Sequence, residues 1–430
     1  MALLTPLFES RASLAVSGVK PADPALADIF NGRGTSSGQS VTSESAMRVS
    51  AVYACVTVLS QTLAMLPKHV KAARADGGRE LLPSHRLYKQ LHNTPNRWQT
   101  SFEYFEMMEG HRLLRGNAYA RIVRNQGRGL NELVPMHPDR VYPFIVTPSG
   151  ETLFMYDTSP TPPAGSRLYY QYYPMSGEAE TLMASEVHHV KGFTSNGIVG
   201  MNPITRAARE AVGLAMATEE HGARLFSNGA QIAKAFKHPG KLSDTAYDRL
   251  KKSIGSEYAG VSNAHKTIIL EEGMDITTLS MTSEDAQFLE TRKFQVEDIA
   301  RIFNVPLVLI GHGDKAPTYA SAEQFFMSFK VHTINPIVRR WEEAMERDLL
   351  WPIEIGNVYI DIDMDSMMRG DAVARSTYLE KRFQMASMSP DDIRMYEGEN
   401  PTGTAAGSSL YIMSNMIPLS QAGQSTGVTE

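Results

Sequence analysis

Apolar residues recur at intervals of three and four in several parts of the chain, and this spacing predicts helices. One such run extends from Val49 to Leu66 and is ended by Pro67, which predicts an amphipathic helix. A second helix is predicted to begin after Thr100, because Thr100 and Glu103 have the spacing of a capping box. Both helices precede a region with a different pattern.

Between residues 116 and 190 the apolar positions fall in short runs that are typical of strands. Two of these runs are 118–123 and 140–146, and prolines and the loop 160–165 interrupt the pattern. Short runs divided by turn residues predict a small β-rich layer.

Helical spacing returns at Asn202-Pro203, where an N-cap residue is followed by proline. This helix is predicted to run to about Ser227, because Asn228-Gly229 is a typical helix end. A small α/β insert is expected next. Its predicted elements are strand 232–236, helix 243–258, and strands 266–270 and 275–279. Because another long helix follows, the insert would be the tip of a hairpin-like stalk.

Residues 283–350 are predicted to form two long helices joined by an apolar loop. The loop, 307–318, includes Leu307, Val308, Leu309, Ile310, Gly311, His312, Gly313, Asp314 and Lys315. Four consecutive large apolar residues suit a plain connector poorly, unless the loop packs between subunits or inside the core. Presentation to a partner or within a ring is favoured, and core burial is the alternative. The second helix is expected to kink or split at Asn335-Pro336.

The C-terminal part is predicted to contain one strand and further helices. Apolar residues alternate with polar ones from Val358 to Met364, which is typical of a strand with one wet face. Helices are expected within 370–385 and from Ser389, where Pro390 and two aspartates provide a favourable first turn.

Composition describes an ordinary globular protein of roughly two to four domains, with 430 residues, 42% hydrophobic and 21% charged. A formal charge of −5 argues against static nucleic-acid binding, but it does not exclude a conduit along which DNA slides.

The single Cys55 excludes an internal disulfide. No secretory signal or membrane-spanning run is evident, so synthesis in the cytoplasm is expected. Residues from about Lys20 to Ser45 are rich in Gly, Ser and Pro, and the tail from Gly407 is small and polar, so flexible arms are predicted at 1–44 and 417–430.

Several short motifs could carry chemistry, but each fails a requirement of that chemistry. Residues 34–38 have the spacing of a nucleophile elbow but lie in a Gly/Ser linker. His188-His189 has no accompanying zinc motif, and Lys241 follows Pro-Gly without the rest of a phosphate loop. No cofactor or ATP site is therefore predicted.

Asp361, Asp363 and Asp365 resemble the start of a calcium loop. Ser366 stands where that loop requires glycine, and Ala372 where it requires glutamate. A strand with one wet face is the favoured interpretation. A metal-dependent hydrolase that uses these three carboxylates is the alternative function, and a scaffold or adaptor module without a channel is a further one.

The run from Glu297 to Pro306, EDIARIFNVP, resembles the portal proteins of lambdoid long-tailed phages. Five further segments resemble family elements in the same order and at similar spacing. They are 50–56 (SAVYACV), 116–119 (GNAY), 133–141 (LVPMHPDRV), 200–204 (GMNPI) and 226–230 (FSNGA). The order and spacing of these segments together carry the resemblance, which covers residues 45–411.

The resemblance implies an α+β portal fold with a β-rich wing, two long stem helices, a small α/β clip and a helical crown. The implied boundaries are 45–201 for the first part of the wing, 202–230 for stem helix 1, 231–282 for the clip, 283–305 for stem helix 2, 306–318 for the tunnel loop, 319–365 for the rest of the wing, and 366–416 for the crown.

The resemblance also implies roles for particular residues. Leu307 to Lys315 would form the tunnel loop at the narrowest point of a DNA channel. Candidates for the channel lining are Glu284, Asp285, Glu290, Lys293, Glu297 and Arg301, and candidates for docking on the clip are Lys241, Arg249, Lys251 and Lys252. The insert has nearly balanced charge, so a solvated surface is an alternative for the last four residues.

The implied function is that of a non-enzymatic ring, usually of twelve subunits, at one vertex of the virion capsid. The ring would nucleate procapsid assembly and conduct double-stranded DNA during packaging and ejection. Its expected partners are the terminase large subunit, the head–tail adaptor, and the major capsid and scaffolding proteins. It would assemble in the host cytoplasm and need no membrane.

Overall fold

The computed structural model describes residues 34–74, 78–124, 130–227, 234–237, 248, 275–278, 283–312, 319–364, 366–367 and 372–411. The chain forms two compact units, residues 1–361 and residues 362–430. Each unit is described by itself below.

The helices of the first unit are defined by local capping signals and apolar spacing. They are α1 (Ser43–Ala46), α2 (Ser50–Met65), α3 (Tyr88–His92), α4 (Ser101–Arg115), α5 (Pro203–Arg206), α6 (Arg209–Ser227), α7 (Ser283–Phe303), α8 (Tyr319–Ser328) and α9 (Asn335–Leu349). The predicted helix ending before Pro67 is confirmed as α2, and the capping box of Thr100 and Glu103 is confirmed at α4.

The strands form small sheets, and residues 116–190 are rich in strands, as predicted. They are β1 (Lys68–Ala73), β2 (Arg79–Leu81), β3 (Asn117–Arg124), β4 (Leu130–Met136), β5 (Val141–Val146), β6 (Thr152–Phe154), β7 (Arg167–Tyr172), β8 (Glu180–Met183), β9 (Val187–Lys191), β10 (Lys234–Lys237), β11 (Asp275–Thr278) and β12 (Val358–Ile362). The strand orders are β4-β3-β9, β6-β5-β7-β8, β12-β1-β2 and β10-β11.

Two clusters of buried side chains hold the first unit together. One lies between the β4-β3-β9 and β6-β5-β7-β8 sheets and includes Tyr119, Met136 and Tyr170. The other joins α4 to α9, where the rings of Phe105 and Trp341 lie 5.2 Å apart, edge to face. Burial of such large rings is a main source of stability.

The helix predicted to start at Asn202 does so, because its side chain accepts from the amides of Ile204 and Thr205 and Pro203 follows it. The single helix expected to Ser227 is divided into α5 and α6. The division lies at residues 207–208, where the amide of Ala208 reaches back five residues to the carbonyl of Pro203. The helical ladder therefore restarts at α6.

Residues 34–44 differ from the flexible arm predicted for them. The amide of Ser36 donates to Glu210, and Val41 is fully buried. Thr35 lies against Gly213 of α6, where an added Cβ would meet its side chain at 2.4 Å. A single helical glycine thus leaves the space that receives this segment. In the described part of the chain, no helix directly follows the turn at 34–38, whereas a nucleophile elbow leads straight into one.

The predicted split of the long helix at Asn335-Pro336 is confirmed. A π-helical turn, Phe329–Ile334, separates α8 from α9. The i→i+5 pattern of a π-turn inserts one extra residue into a helix and often marks a functional position.

The second unit contains three described helices, α10 (Ala372–Gln384), α11 (Pro390–Tyr396) and α12 (Ala405–Ser408). Ser389 caps α11 in a capping box with Asp392, as the sequence indicates. Asp391 of α11 accepts from the amide and hydroxyl of Thr402, which fixes the chain that leads to α12.

Some predictions lie outside the described residues. They are the arm 1–33, the insert helix 243–258 apart from residue 248, strand 266–270, the clip residues Lys241, Arg249, Lys251 and Lys252, the loop residues Gly313, Asp314 and Lys315, Asp365, and the tail 417–430.

Candidate functional site

Helices α6 and α7 lie side by side at the start of the candidate site. The side-chain amide of Gln295 on α7 donates from Nε2 to the hydroxyl oxygen of Thr218 on α6, at a distance of 3.1 Å. Both side chains are buried. Between the helices in sequence, β10 and β11 pair antiparallel, with Lys234 opposite Thr278. The contact between α6 and α7 and the pairing of β10 with β11 are compatible with the predicted hairpin-like stalk, which stays a prediction.

The charged residues expected to line a channel lie along α7. Glu290, Lys293 and Arg301 are exposed, and Glu297 is half-buried. Arg301 forms an ion pair with Asp298 at 2.7 Å, so the acidic excess predicted for this helix is partly neutralised within it. The backbones of Glu284 and Asp285 belong to α7, and their side chains lie outside the description.

The apolar residues after α7 form a 3-10 turn, Leu307–Ile310, rather than an irregular loop. Gly311 ends the turn in the left-handed region, at φ 71°, which glycine adopts without strain. Leu307, Leu309 and Ile310 are half-buried, while Val308 is 39% exposed. His312 follows with its side chain half-buried. The turn is thus neither fully in the core nor fully presented in an isolated subunit.

A clasp formed by Asn304 and Thr333 joins the end of α7 to the π-turn. The Asn304 amide Nδ2 donates to the carbonyl of His332 at 3.1 Å, and the Thr333 hydroxyl donates to the carbonyl of Asn304 at 2.7 Å. Asn304 is left-handed, with φ 54°, a conformation that asparagine tolerates better than most residues. Sequence reasoning missed the clasp. An Asn after a helix and before Val-Pro is a signal for the left-handed residue, but nothing local marks the π-turn.

Helix α8 has large apolar side chains that are exposed to solvent. Residues 324–328 are all exposed, and they include Phe325, Phe326 and Met327. Five consecutive helical residues cover the whole circumference of a helix. This stretch has no buried face within the subunit, and its aromatic surface is of the kind that partner chains cover.

His188 and His189 belong to a buried hydrogen-bond network and do not converge on a metal site. The Asp348 carboxylate lies 2.9 Å from His188 Nδ1 and accepts from the amide of His189 at 3.0 Å. Burial alone would raise the pKa of Asp348, but hydrogen bonds from His188 and Arg347 lower it to about 2. His189 Nδ1 lies 3.1 Å from the hydroxyl of Tyr170. The pair therefore ties β9 to α9.

Of the three aspartates of the alternative hydrolase, Asp361 and Asp363 lie within the described residues. Asp361 forms an ion pair with Lys71 at 2.6 Å. Its strand alternates as predicted, with Ile360 and Ile362 buried. Within the described residues, no group of three or more His, Cys, Asp or Glu side chains is arranged to hold a metal ion.

No helix in the described part of the chain is both long enough and apolar enough to span a membrane.

The fold is similar to that of a chain in the neck of a gene transfer agent particle. The chain superposes on a subunit of the neck of a native gene transfer agent particle, computed with C12 symmetry, with a TM-score of 0.54 and 22% identity; the match covers 88% of this chain and 99% of that one.

Sequence comparison then gives the family. The phage portal protein family matches residues 50–398, and the chain belongs to this family. It is 27% identical to the portal protein of Enterobacteria phage HK97, over 84% of this chain and 81% of that protein. It is 28% identical to the probable portal protein of Streptomyces phage phiC31, over 97% of this chain and 89% of that protein. The resemblance identified from the sequence is thereby confirmed.

Proposed function

We propose that this protein assembles head to tail into a closed ring at one vertex of a phage capsid and forms the channel for double-stranded DNA. The proposed ring has twelve subunits, the symmetry with which the gene transfer agent neck was computed. The main support for this proposal is the match to the phage portal family across residues 50–398. The matched residues include α6 and α7, the apolar turn and the split helix.

The bare surface of α8 supports assembly in this form. A monomer that leaves Phe325, Phe326 and Met327 exposed would hold a large apolar patch in water. A heterologous interface that closes into a ring covers such a patch on every subunit, whereas an open one would produce filaments.

Within the ring, α6 and α7 would be the stem, and their acidic side chains would face the DNA. Glu284, Asp285, Glu290, Lys293, Glu297 and Arg301 remain the candidates for this lining. Acidic side chains that face the DNA phosphates would keep the affinity for DNA low, because affinity increases with each phosphate that a protein neutralises. Low affinity suits a channel through which DNA slides. The turn Leu307–Ile310 and the residues to Lys315 would form the tunnel loop.

The remaining parts would carry the contacts with other proteins. Residues 231–282, with Lys241, Arg249, Lys251 and Lys252, would form the clip that docks the terminase motor and later the head–tail adaptor. Residues 45–201 and 319–365 would form the wing, and residues 366–416 the crown. The ring would nucleate procapsid assembly with capsid and scaffolding proteins, and it would carry out no catalysis of its own.

Electron microscopy of the purified full-length protein in negative stain tests the proposal. Rings with a central hole and about twelve-fold symmetry are the expected result. A protein that stays monomeric across a wide concentration range, alone and with its capsid and scaffolding partners, would contradict it.

A further inference from the structure

A basic cleft lies between the end of β9 and helix α9. Its volume is about 520 Å3, and it is lined by the loop after Lys191 and by one face of α9. Four cationic side chains line it, Lys191, Arg339, Arg340 and Arg347, against the single carboxylate of Glu343.

Two of these cations have only main-chain acceptors within the described part of the chain. The Lys191 ammonium donates to the carbonyl of Gly197 at 2.7 Å. The Arg340 guanidinium donates to the carbonyls of Lys191 and Gly192 at 2.8 and 2.7 Å. Carbonyl oxygens orient these groups but do not neutralise their charge. Both side chains are therefore held at the cleft with their positive charge uncompensated by a bonded carboxylate.

The other two cations are each held by an acid. Arg347 forms an ion pair with Asp348 at 2.6 Å. Arg339 pairs with Glu343 at 3.0 Å on the outer edge, where its side chain is 66% exposed. The lining thus keeps a positive excess after its internal pairs are made.

The pKa values of Lys191 and Arg340 are lowered mainly by burial, and a neighbouring cation adds to each shift. Burial, followed by repulsion from Arg347, lowers the pKa of Lys191. Burial, followed by repulsion from Arg112, lowers the pKa of Arg340. An anion in the cleft would oppose both shifts, because an opposite charge within a few ångströms favours the charged form.

We infer that this cleft is the socket for an acidic segment of a neighbouring copy of this chain, and that it forms part of the interface that closes the ring. The inference deepens the proposed function and rests on it. In a head-to-tail ring each subunit presents two different faces, so a basic socket on one face requires acid on the other. The whole chain carries −5 while the cleft lining is net positive, so the residues outside the lining carry the acidic excess that such a contact needs.

An acidic protein segment fits the cleft better than DNA does. Phe193 stands beside the cleft, between Lys191 and Thr194, and is 75% exposed. Arginine beside an exposed aromatic ring is the composition enriched in protein interfaces. A static DNA site is also less compatible with the overall negative charge.

Charge removal at the socket tests the inference. The double variant Lys191→Gln/Arg339→Gln removes two cleft charges. The matched control, Arg97→Gln/Arg167→Gln, removes two charges from exposed positions outside the cleft lining. Light scattering after size-exclusion chromatography would measure the concentration at which half the protein is assembled. We expect this concentration to rise about tenfold for the cleft variant and to stay within about twofold for the control.

Thermal unfolding of both variants separates assembly from folding. If the double variant unfolds, the single variant Arg339→Gln is tested instead, because that exposed side chain pairs with Glu342 and Glu343 of its own helix. Assembly of the cleft variant at the wild-type concentration would overturn the inference and leave the proposed ring intact. Unchanged assembly with weakened binding of a DNA duplex would also overturn it, in favour of a nucleic-acid site.

Zero-length carbodiimide cross-linking gives direct evidence. Rings assembled from equal parts of 14N- and 15N-labelled protein would be cross-linked, digested and analysed by mass spectrometry. The expected product joins Lys191 of one isotopic form to an aspartate or glutamate of the other. Links from Lys191 found only within one isotopic form would overturn the inference. Wild-type protein that never self-associates would overturn the proposed function as well.

Discussion

The indole of Trp341 donates from Nε1 to the carboxylate of Glu109 at 2.8 Å, and both side chains have no exposed surface. The same carboxylate forms a buried ion pair with Arg112, one turn along α4. The contact joins α9 to α4 through the only acceptor that Trp341 has among the described residues. A polar bond at this depth fixes the register of two helices that apolar packing alone would hold less specifically.

Removing this carboxylate should be far more damaging than removing its indole donor. Glu109→Ala leaves the buried Arg112 cation without its partner, and we expect a loss of about 3–5 kcal/mol in the free energy of unfolding. Trp341→Phe leaves the ion pair in place and should cost about 1–3 kcal/mol. Urea unfolding measures both. Glu106→Ala, on the same helix with a more exposed side chain, is the control and should change stability by less than about 1 kcal/mol. Equal losses for Glu109→Ala and Glu106→Ala would contradict the interpretation.

Lys68 should make stability depend on pH in the alkaline range. Its ammonium is buried, donates to the carbonyls of Leu63 and Ala64 at 3.0 and 2.7 Å, and lies 4.3 Å from the ring centre of Phe105. Burial lowers its pKa to about 7. The ordinary value near 10.5 holds in the unfolded chain, so between these two values the unfolded state binds more protons. Stability should therefore rise as pH increases from about 7 towards 10.

The matched variant for this test is Lys68→Met, which keeps the length of the side chain and removes the titration. We expect wild-type protein to gain about 1–3 kcal/mol relative to Lys68→Met between pH 7 and pH 9.5, as measured by urea unfolding. A difference between the two proteins that stays constant with pH would show that Lys68 does not titrate in this range.

Gly200 lies where three main-chain segments meet. The amide of Gly192 donates to the carbonyl of Gly116 at 2.7 Å, and a Cβ on Gly200 would lie 2.0 Å from that same carbonyl oxygen. Gly200→Ala should therefore lose about 3 kcal/mol or more of stability, because main chain has to move. Gly110→Ala is the control, since nothing lies within 4 Å of the added methyl. That helical substitution should stabilise the protein slightly. Thermal unfolding in which Gly200→Ala is more stable than Gly110→Ala would refute the close approach of Gly200 to the carbonyl of Gly116.

The Asn304–Thr333 clasp should hold the π-turn closed. Thr333→Val removes the donated hydrogen bond while keeping the shape, and we expect a loss of about 1 kcal/mol and faster amide exchange in Phe329–Ile334. Thr333→Ser retains the hydroxyl and should exchange at a rate near that of the wild type. Hydrogen exchange monitored by mass spectrometry compares the two, and identical protection in both variants would count against the clasp.

The apolar turn Leu307–Ile310 should act after the ring has formed. Replacing Val308, Leu309 and Ile310 with serine should leave rings intact by electron microscopy but reduce the yield of packaged genome several-fold. Met175→Ser, at an apolar side chain that is 90% exposed, is the control and should package normally. Normal genome yield from the triple variant would refute the tunnel-loop assignment.

Local chemistry determined many of the helix boundaries. Thr100 with Glu103, Asn202 with Pro203, and Ser389 each cap the helix that the sequence predicts, because capping involves residues only a few positions apart. The apolar spacing of α2 and the proline after it likewise predicted that helix and its end. The family resemblance also came from short segments and their order, and residues 50–398 match the family.

Tertiary structure alone decided which distant residues meet. Glu109 and Trp341 are 232 positions apart, and Asn304 and Thr333 are 29 positions apart, so no local pattern pairs them. The break between α5 and α6, and the docking of Thr35 against Gly213, also depend on how remote segments pack. The basic cleft arises because α9 lies beside the loop after Lys191 and gathers cations from both. Sequence periodicity encodes which face of an element is buried, but the partner across that face is chosen by packing of the whole chain.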